Sequence, residues 1–285
     1  MLSPYAYAPA TARHLVPGVE PVTPTRSPYD PPSDLAPGAK AVRTHELLKK
    51  GDVTFSREIT WSTVGSEKPR IVSNRLIVES GNDADNIQVR SWPGDKLQFL
   101  VNGKSYVLDA QAQKGPQQSL LIKTNGGGDS VIIDPDVKHT VEIQGGDGDD
   151  DLQAGGGPTG LFGQGGDDSL RLGSGSGYAE GNDGNDIIRG GSGNTIMLGN
   201  NGNDRLYAGF GDAHKNNILQ GGDGDDSLYA GSGDNHLQGG GGDDHLVGHD
   251  RTSFYTGEGH DRIWNKQSQD RIVTAPTVNP DKAGA

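Results

Sequence analysis

The sequence predicts an all-β fold in which short strands stack in successive coils along one axis. Three observations lead to this prediction. Glycine accounts for 46 of the 285 residues, about twice its usual share. Apolar residues make up 31%, against roughly 45–50% in ordinary globular domains, so a conventional layered core of this size is not expected. A nine-residue pattern of glycine, aspartate and one large apolar residue also repeats from residue 145 onward.

The composition excludes several classes of protein and site. The chain has no cysteine, which rules out disulfides, thiolate metal sites and cysteine nucleophiles. No apolar run approaches the roughly 18 residues of a membrane span. The formal net charge of −13 argues against a nucleic-acid partner, because such proteins present a basic patch. Residues 145–250 concentrate both glycine and charge, with 32 glycines and 18 acidic against 4 basic side chains.

Composition divides the chain into four segments. Residues 1–40 carry nine of the 16 prolines without hydrophobic periodicity, which predicts a disordered proline-rich arm. Residues 41–123 are expected to form a small β-rich cap, because a repeat array otherwise ends in unpaired strand edges. Residues 124–273 are expected to form the repeat array with its own C-terminal cap. A disordered tail is predicted for residues 274–285.

The capping regions are predicted in more detail. We expect one short helix at Ala41–Lys50, followed by strands. Asn102 and Gly103 form the strongest short hairpin signal in the chain. Thr256–Trp264 and Asn265–Val273 keep the nine-residue step but lose glycine, which predicts a C-terminal cap that nucleates folding. The strands expected before the repeats are Glu58–Thr63, Arg75–Glu79, Ile87–Ser91, Lys96–Val101 and Lys104–Asp109.

The repeat unit reads G-G-x-G-x-D-x-U-x, where U is a large apolar residue, as in Gly145–Gln153 and Gly181–Arg189. Glycines at three fixed places permit positive φ and a tight turn whose carbonyls point inward. The last three residues form a short strand, and its eighth-position side chain builds the core by stacking on its neighbours. A disordered glycine-rich linker would show no such apolar row. Its members are Leu152, Leu161, Leu170, Ala179, Ile188, Met197, Leu206, Leu219, Leu228, Leu237 and Leu246.

This pattern resembles the calcium-binding nonapeptide of the RTX (repeats-in-toxin) family, over about residues 145–273. The resemblance implies a right-handed parallel β-roll that binds calcium in its turns. It covers nearly half of the chain, with many units in register.

Aspartate occupies the sixth position in every second unit, so the full period is 18 residues, or one coil with two turns. All the aspartate-bearing turns are therefore expected on one side of the roll. A four-residue insertion around His214–Asn217 falls on the other side. The sixth-position aspartates are Asp150, Asp168, Asp186, Asp204, Asp226 and Asp244, and the intervening units carry Thr159, Gly177, Thr195, Asn217 and Asn235.

Stacked carboxylates in adjacent coils, about 4.7–4.9 Å apart, repel one another. A divalent cation between successive turns reverses that repulsion. Ca²⁺ accepts about 6–8 carboxylate and carbonyl oxygens, whereas Mg²⁺ requires a tighter octahedron and zinc and copper prefer nitrogen or sulfur. Six turns leave five gaps, so we expect about five Ca²⁺ ions.

Two flanking turns could raise the count to seven. They are Thr124–Ile132 with Asp129 and Thr256–Trp264 with Asp261, for which an ordinary Asx turn is the alternative. In Ser80–Gln88 the Asx turn is the favoured interpretation of Asp85. The predicted metal ligands are Asp129, Asp147, Asp150, Asp168, Asp183, Asp186, Asp204, Asp223, Asp226, Asp244 and Asp261.

No catalytic site is predicted. His45 and Glu46 begin like the H-E-x-x-H helix of zinc proteases, but Lys49 stands where the second histidine is required. The region before the repeats is too small for a peptidase, lipase or epimerase domain of the kind that some RTX proteins carry. Paired aspartates could mimic a glycosidase pair, but calcium ligation already accounts for them.

The residues and the resemblance together predict a non-enzymatic, calcium-binding protein whose roll folds when Ca²⁺ binds. We expect a monomer, secreted by a bacterium without a cleavable signal peptide, and an effector delivered by a specialised apparatus fits the same features. A host or cell-surface protein partner stays open. Two alternatives are a module of a larger toxin or effector with its catalytic domain outside this chain, and an adhesin or glycan-binding module with a regular outward-facing row.

Overall fold

The structure, a computed structural model, describes residues 29–33, 35–66, 68–109 and 115–274. Within these ranges the chain forms 23 β-strands in two sheets and contains no helix, which confirms the predicted all-β class. Of the arm predicted for residues 1–40, residues 1–28 lie outside the described residues, and so do residues 275–285 of the tail predicted for 274–285. Within the described ranges, no helix is long and apolar enough to cross a membrane.

The first six strands form two antiparallel groups, β1-β2-β3 and β4-β5-β6. Asn102 and Gly103 both have positive φ, 49° and 74°, as the predicted hairpin turn between the last two strands requires. Strands were correctly predicted at the places of the last five of these strands, but not at the first. The six strands are β1 (Lys40–Lys50), β2 (Val53–Ser62), β3 (Arg70–Glu79), β4 (Asn86–Trp92), β5 (Lys96–Val101) and β6 (Lys104–Asp109).

The helix predicted at Ala41–Lys50 is wrong, because this segment is strand β1. It pairs antiparallel with β2 along its whole length, from Lys40 opposite Ser62 to Lys50 opposite Val53. The glutamate, leucines and lysines of the segment favour helix locally, but the long pairing with β2 overrides that weak preference.

From β3 and β4 onward the chain winds as a parallel β-solenoid of about nine coils. Every later strand pairs in parallel with the equivalent strand one coil away, and β3 and β4 pair in the same way with β7 and β8. The early strands are β7 (Ser119–Lys123), β8 (Ser130–Ile133), β9 (Val141–Asp147), β10 (Asp151–Gln153), β11 (Thr159–Gly165), β12 (Ser169–Arg171), β13 (Gly177–Asp183) and β14 (Ile187–Arg189). The later strands are β15 (Thr195–Asn201), β16 (Arg205–Tyr207), β17 (Asn216–Asp223), β18 (Ser227–Tyr229), β19 (Asp234–Gly241), β20 (His245–Val247), β21 (Arg251–Glu258), β22 (Arg262–Trp264) and β23 (Arg271–Val273).

Each coil contributes one strand to each sheet. The first sheet has the order β1-β2-β3-β7-β9-β11-β13-β15-β17-β19-β21-β23, and the second has β6-β5-β4-β8-β10-β12-β14-β16-β18-β20-β22. The two rows of turns connect these sheets. Equivalent turn residues therefore stack in two files parallel to the solenoid axis.

The predicted apolar row forms the core between the sheets. All eleven eighth-position residues from Leu152 to Leu246 are completely buried, and their strands pair in register, as Leu152 with Leu170 does. The same cluster continues into the N-terminal strands through Phe55, Ile87 and Phe99. The solenoid and the N-terminal strands thus share one hydrophobic core.

The positive-φ positions differ from the expectation. The second and fourth positions of the aspartate-bearing turns are left-handed, as at Gly146 (φ 117°) and Gly148 (φ 118°), but the first-position glycine is not. Asn182 and Asn200 occupy the second position with φ near 80°, because asparagine tolerates this region better than most residues. The first glycine must therefore be required for another reason.

The alternation of buried and exposed side chains along β17 gives a direct test of the core. Leu219→Ala should lower the free energy of unfolding by about 2–5 kcal/mol, because it removes a fully buried side chain and leaves a cavity. Ile218→Ala, one residue earlier and 43% exposed, should cost well under half as much. Urea unfolding at fixed calcium measures both, and equal losses would contradict the assigned register.

Candidate metal centre

The sixth-position aspartates stack in one continuous file inside one row of turns. In each step, Oδ1 of one aspartate accepts a hydrogen bond from the backbone N–H of the aspartate one coil earlier, at 2.6–3.0 Å. Asp168 Oδ1, for example, accepts from Asp150 N at 2.8 Å. We call these residues the carboxylate file: Asp85, Asp129, Asp150, Asp168, Asp186, Asp204, Asp226, Asp244 and Asp261.

The second carboxylate oxygen of the file has no donor. Oδ2 is buried and without a hydrogen-bond partner in every member except Asp261. The six central aspartates are 1–3% exposed, and no ion pair joins any member to a basic side chain in the described ranges. Leaving a buried carboxylate oxygen unpaired is costly. The file therefore requires a cation or a proton facing each Oδ2 atom.

The first-position glycine makes room for this oxygen. A Cβ placed on Gly163 would overlap Oδ2 of Asp168, and the same overlap occurs between Gly181 and Asp186. The first-position carbonyl oxygen of the next coil lies near the same point, with Gly181 O 3.0 Å from the Cβ that Gly163 would have. A carboxylate oxygen and a carbonyl oxygen from successive coils thus face one space beside the glycine.

This donor set fits Ca²⁺, which binds carboxylate and carbonyl oxygens in irregular geometry. No three His, Cys, Asp or Glu side chains in the described residues converge as a metal-binding group. An ion at the file would accordingly take main-chain oxygens in addition to the carboxylates.

Burial raises the pKa of the six central carboxylates of the file, from Asp150 to Asp244. Desolvation is the largest cause in each case, and the hydrogen bond to the preceding coil offsets it only in part. Neighbouring aspartates add a further rise, as Asp186 and Asp150 do at Asp168. The pKa reaches about 6 at Asp150, Asp204 and Asp244, about 7 at Asp186, and about 8 at Asp168 and Asp226.

The flanking aspartates also belong to the file. Asp129 is buried, its pKa is raised by burial, and its Oδ1 accepts from Asp85 N. Asp261 ends the file and accepts from Asp244 N at 3.0 Å. Asp85, for which an ordinary Asx turn was favoured, is buried at the other end, where Asn102 donates to its Oδ1. The apolar Ile87 two residues later was the available sequence signal.

Three predicted ligands lie apart from the file. Asp147, Asp183 and Asp223, at the third position, are exposed on the outside of the turns. Asp183 Oδ1 accepts a hydrogen bond from Asn201 Nδ2 at 2.7 Å. These carboxylates are exposed to solvent, whereas the unpaired Oδ2 atoms are buried.

A second ladder at the fifth position was missed by the sequence analysis. Each Asp or Asn there accepts, through Oδ1, a hydrogen bond from the backbone N–H of the following coil, in the direction opposite to that of the file. The signal was present, since every aspartate-bearing unit from 145 to 247 has Asp or Asn at this position. The residues are Asp149, Asp167, Asn185, Asn203, Asp225 and Asp243.

The buried polar side chains of the opposite row of turns are neutral, apart from one lysine. Thr195 Oγ1 donates to Asn217 Oδ1 at 3.0 Å, and Asn217 Nδ2 donates to Asn235 Oδ1 at 2.8 Å. In the insertion, Lys215 is 2% exposed and donates to the carbonyl oxygens of Gly191 and Ala208. Burial lowers the pKa of Lys215 to about 8, so its ammonium is still charged at neutral pH. Among the described residues, this row contains a buried ammonium group and no buried carboxylate with an unpaired oxygen. The sequence did not predict this buried lysine.

A parallel solenoid with one internal file of unpaired carboxylates defines a repeat protein whose turns are suited to bind cations. Residues 180–212 and 215–250 match the family of RTX calcium-binding nonapeptide repeats, in four copies. This part of the chain thus carries RTX calcium-binding repeats, which confirms the resemblance seen in the sequence. The gap between the two matches falls in the insertion. No curated protein and no solved structure matches the chain.

Two glycines of strand β11 test the space reserved for Oδ2. Gly163→Ala should strongly destabilise the roll and weaken calcium binding, because its Cβ would overlap Oδ2 of Asp168. Gly165→Ala is the matched control, since its Cβ would meet only ordinary contact at 3.8 Å and its φ is not left-handed. Thermal unfolding with and without Ca²⁺ compares them, and similar losses in both variants would refute this role of the first glycine.

The raised pKa values predict how the metal-free protein responds to pH. The unfolded chain loses these protons near the ordinary value of 3.8, whereas the folded file keeps them up to about 6–8. The contribution to stability is therefore complete below about pH 4 and is lost as pH rises to about 8. Urea unfolding in metal-stripped buffer should show this decline, with a shallower slope in Asp186→Asn. Stability that rises with pH over the same window would contradict the assignment.

Proposed function

We propose that the protein binds a row of Ca²⁺ ions along the carboxylate file and that its roll folds when they bind. The observation that carries the proposal is the file of buried Oδ2 atoms, which have no donor and face carbonyl oxygens of the next coil. The family match to calcium-binding repeats supports the choice of ion.

The proposed ligands are the sixth-position aspartates of successive coils, from Asp129 to Asp261, together with first-position carbonyl oxygens. About five ions fill the gaps among the six central turns, and two more follow if the turns of Asp129 and Asp261 bind. Asp85 would add one further gap. Asp147, Asp183 and Asp223 would contribute negative charge at the outer surface of the turns.

Calcium binding would be coupled to folding, because Oδ2 atoms and carbonyl oxygens from different coils meet only after the coils have stacked. Residues 145–260 would then be largely unfolded at the low calcium level inside a cell and folded at the millimolar level outside it. That difference suits a secreted or effector-type bacterial protein. We further propose that the roll has no catalytic role, since cation binding accounts for its carboxylates.

A calcium titration of the full chain tests the proposal. Far-ultraviolet circular dichroism should change from a largely unfolded spectrum in chelator to a β spectrum at roughly 5–10 mM Ca²⁺, as expected for weak extracellular-type sites. Asp186→Asn should move the midpoint to about tenfold higher Ca²⁺ or more, because it removes a charged ligand. Asp136→Asn, an exposed aspartate outside the file, is the control and should leave the midpoint unchanged.

A spectrum that does not respond to calcium would refute coupled folding. Equal midpoints in Asp186→Asn and Asp136→Asn would show that the file does not hold the ions.

A further inference from the structure

Arginines of the solenoid gather on one outward surface. We define the arginine face as the outward side chains, at the seventh and ninth repeat positions, of β10, β12, β14, β16, β18, β20 and β22. Arg171 and Arg189 lie side by side at the ninth position of adjacent strands. Arg205 and Arg262 occupy the seventh position farther along. The corresponding positions of β9 to β21 in the other sheet carry Glu142 and Glu180 and neither lysine nor arginine.

These four arginines have no acidic partner in the described part of the chain. Asp151 is the one carboxylate among the outward residues of the face. In a chain of net charge −13, unpaired arginines are therefore concentrated where acidic side chains are nearly absent. Two like charges on neighbouring strands destabilise a sheet unless something compensates them.

The side chains of the ninth position form an ordered column along the axis. Arg171 Nη1 donates to Gln153 Oε1 at 2.8 Å, and the Arg189 guanidinium lies 5.5 Å from the ring centre of Tyr207. Tyr207 stacks on Tyr229 with ring centres 4.7 Å apart and planes 7° from parallel. The facing surfaces of these rings are covered, so this part of the column offers guanidinium groups, ring edges and hydroxyls, and the exposed Trp264 stands at its far end.

The shape of the face favours a linear polymer over a flat surface. The face is two side-chain columns wide, and the turns of the carboxylate file border it on its seventh-position side. Exposed carboxylates of the fifth position, such as Asp167 and Asp225, project from those turns. An anionic membrane would meet these carboxylates, whereas a single strand lying along the arginine column would not. The facing surfaces of Tyr207 and Tyr229 are covered. The large exposed aromatic ring of the face, Trp264, lies at its far end, away from Arg171 and Arg189. Beside these two arginines, the column therefore lacks the succession of open rings on which the bases of single-stranded nucleic acid stack.

The geometry points to an acidic polysaccharide bound along the arginine face. Guanidinium groups match carboxylate and sulfate oxygens in a bidentate manner, and tyrosine hydroxyls can bond sugar hydroxyls. We expect polysaccharide binding to require calcium, and this part of the inference rests on the proposed function. Bound Ca²⁺ would neutralise the carboxylate file beside the face, which otherwise repels an anionic polymer. A glycan-binding module is expected to present a regular row of outward-facing side chains. The arginine face is such a row, and it lies on a sheet and not on the turns.

Fluorescence anisotropy of a fluorescein-labelled heparin fragment tests this inference with the full chain in about 5 mM Ca²⁺. The wild-type protein should bind the fragment, more weakly as salt rises, and dextran should not compete. Arg171→Gln/Arg189→Gln should weaken binding by about tenfold or more. Arg251→Gln is the matched control, since Arg251 lies outside the face and pairs with Asp234, and it should bind as the wild type does.

Circular dichroism of the same samples separates the two proposals. The proposal that the arginine face binds polysaccharide would be overturned if the calcium-folded wild-type chain did not bind heparin. Equal binding by the wild type and the double variant would also overturn it. Neither result would affect the proposal that calcium folds the roll. Tighter binding to phosphatidylserine vesicles or to a single-stranded oligonucleotide would overturn the choice of polysaccharide. Heparin binding through Arg171 and Arg189 in a chain that does not respond to calcium would refute the calcium proposal alone.

Discussion

Each buried aspartate of the file has one satisfied oxygen and one unsatisfied oxygen, and the rest of the structure depends on this division. Oδ1 joins its coil to the preceding one through a backbone N–H, which fixes the stacking of the turns. Oδ2 points into a space kept open by glycine and has no donor. A bound cation would complete the link, so the same side chain sets the register of the coils and creates the requirement for an ion.

The two rows of turns solve the same packing problem in different ways. One row carries buried carboxylates with raised pKa values, and the other carries Thr195, Asn217 and Asn235 in a chain of neutral hydrogen bonds. Lys215 adds an ammonium group bound to main-chain carbonyls in that second row. Under the proposed function, Ca²⁺ ions link successive coils in one row of turns. In the other row, hydrogen bonds link the coils without a metal ion.

The sequence predicted the features that repeat from coil to coil. The apolar row and the single-sided aspartate file follow from a fixed period, because a parallel register places equivalent residues next to each other. Features that depend on distant pairing were missed or misassigned. Strand β1 exists because β2 lies beside it, and the course of the Lys215 side chain depends on how a unique insertion folds back. Asp85 was undervalued because its unit lacks most of the glycines, although its place in the file is equivalent.

Anomalous diffraction from a crystal grown in calcium, recorded at long wavelength, would locate the ions directly. The account predicts a line of about five or more calcium peaks along the solenoid axis, each within coordination distance, about 2.3–2.6 Å, of an Oδ2 atom of the file. A well-ordered roll without peaks beside Asp168, Asp186 and Asp204 would contradict it.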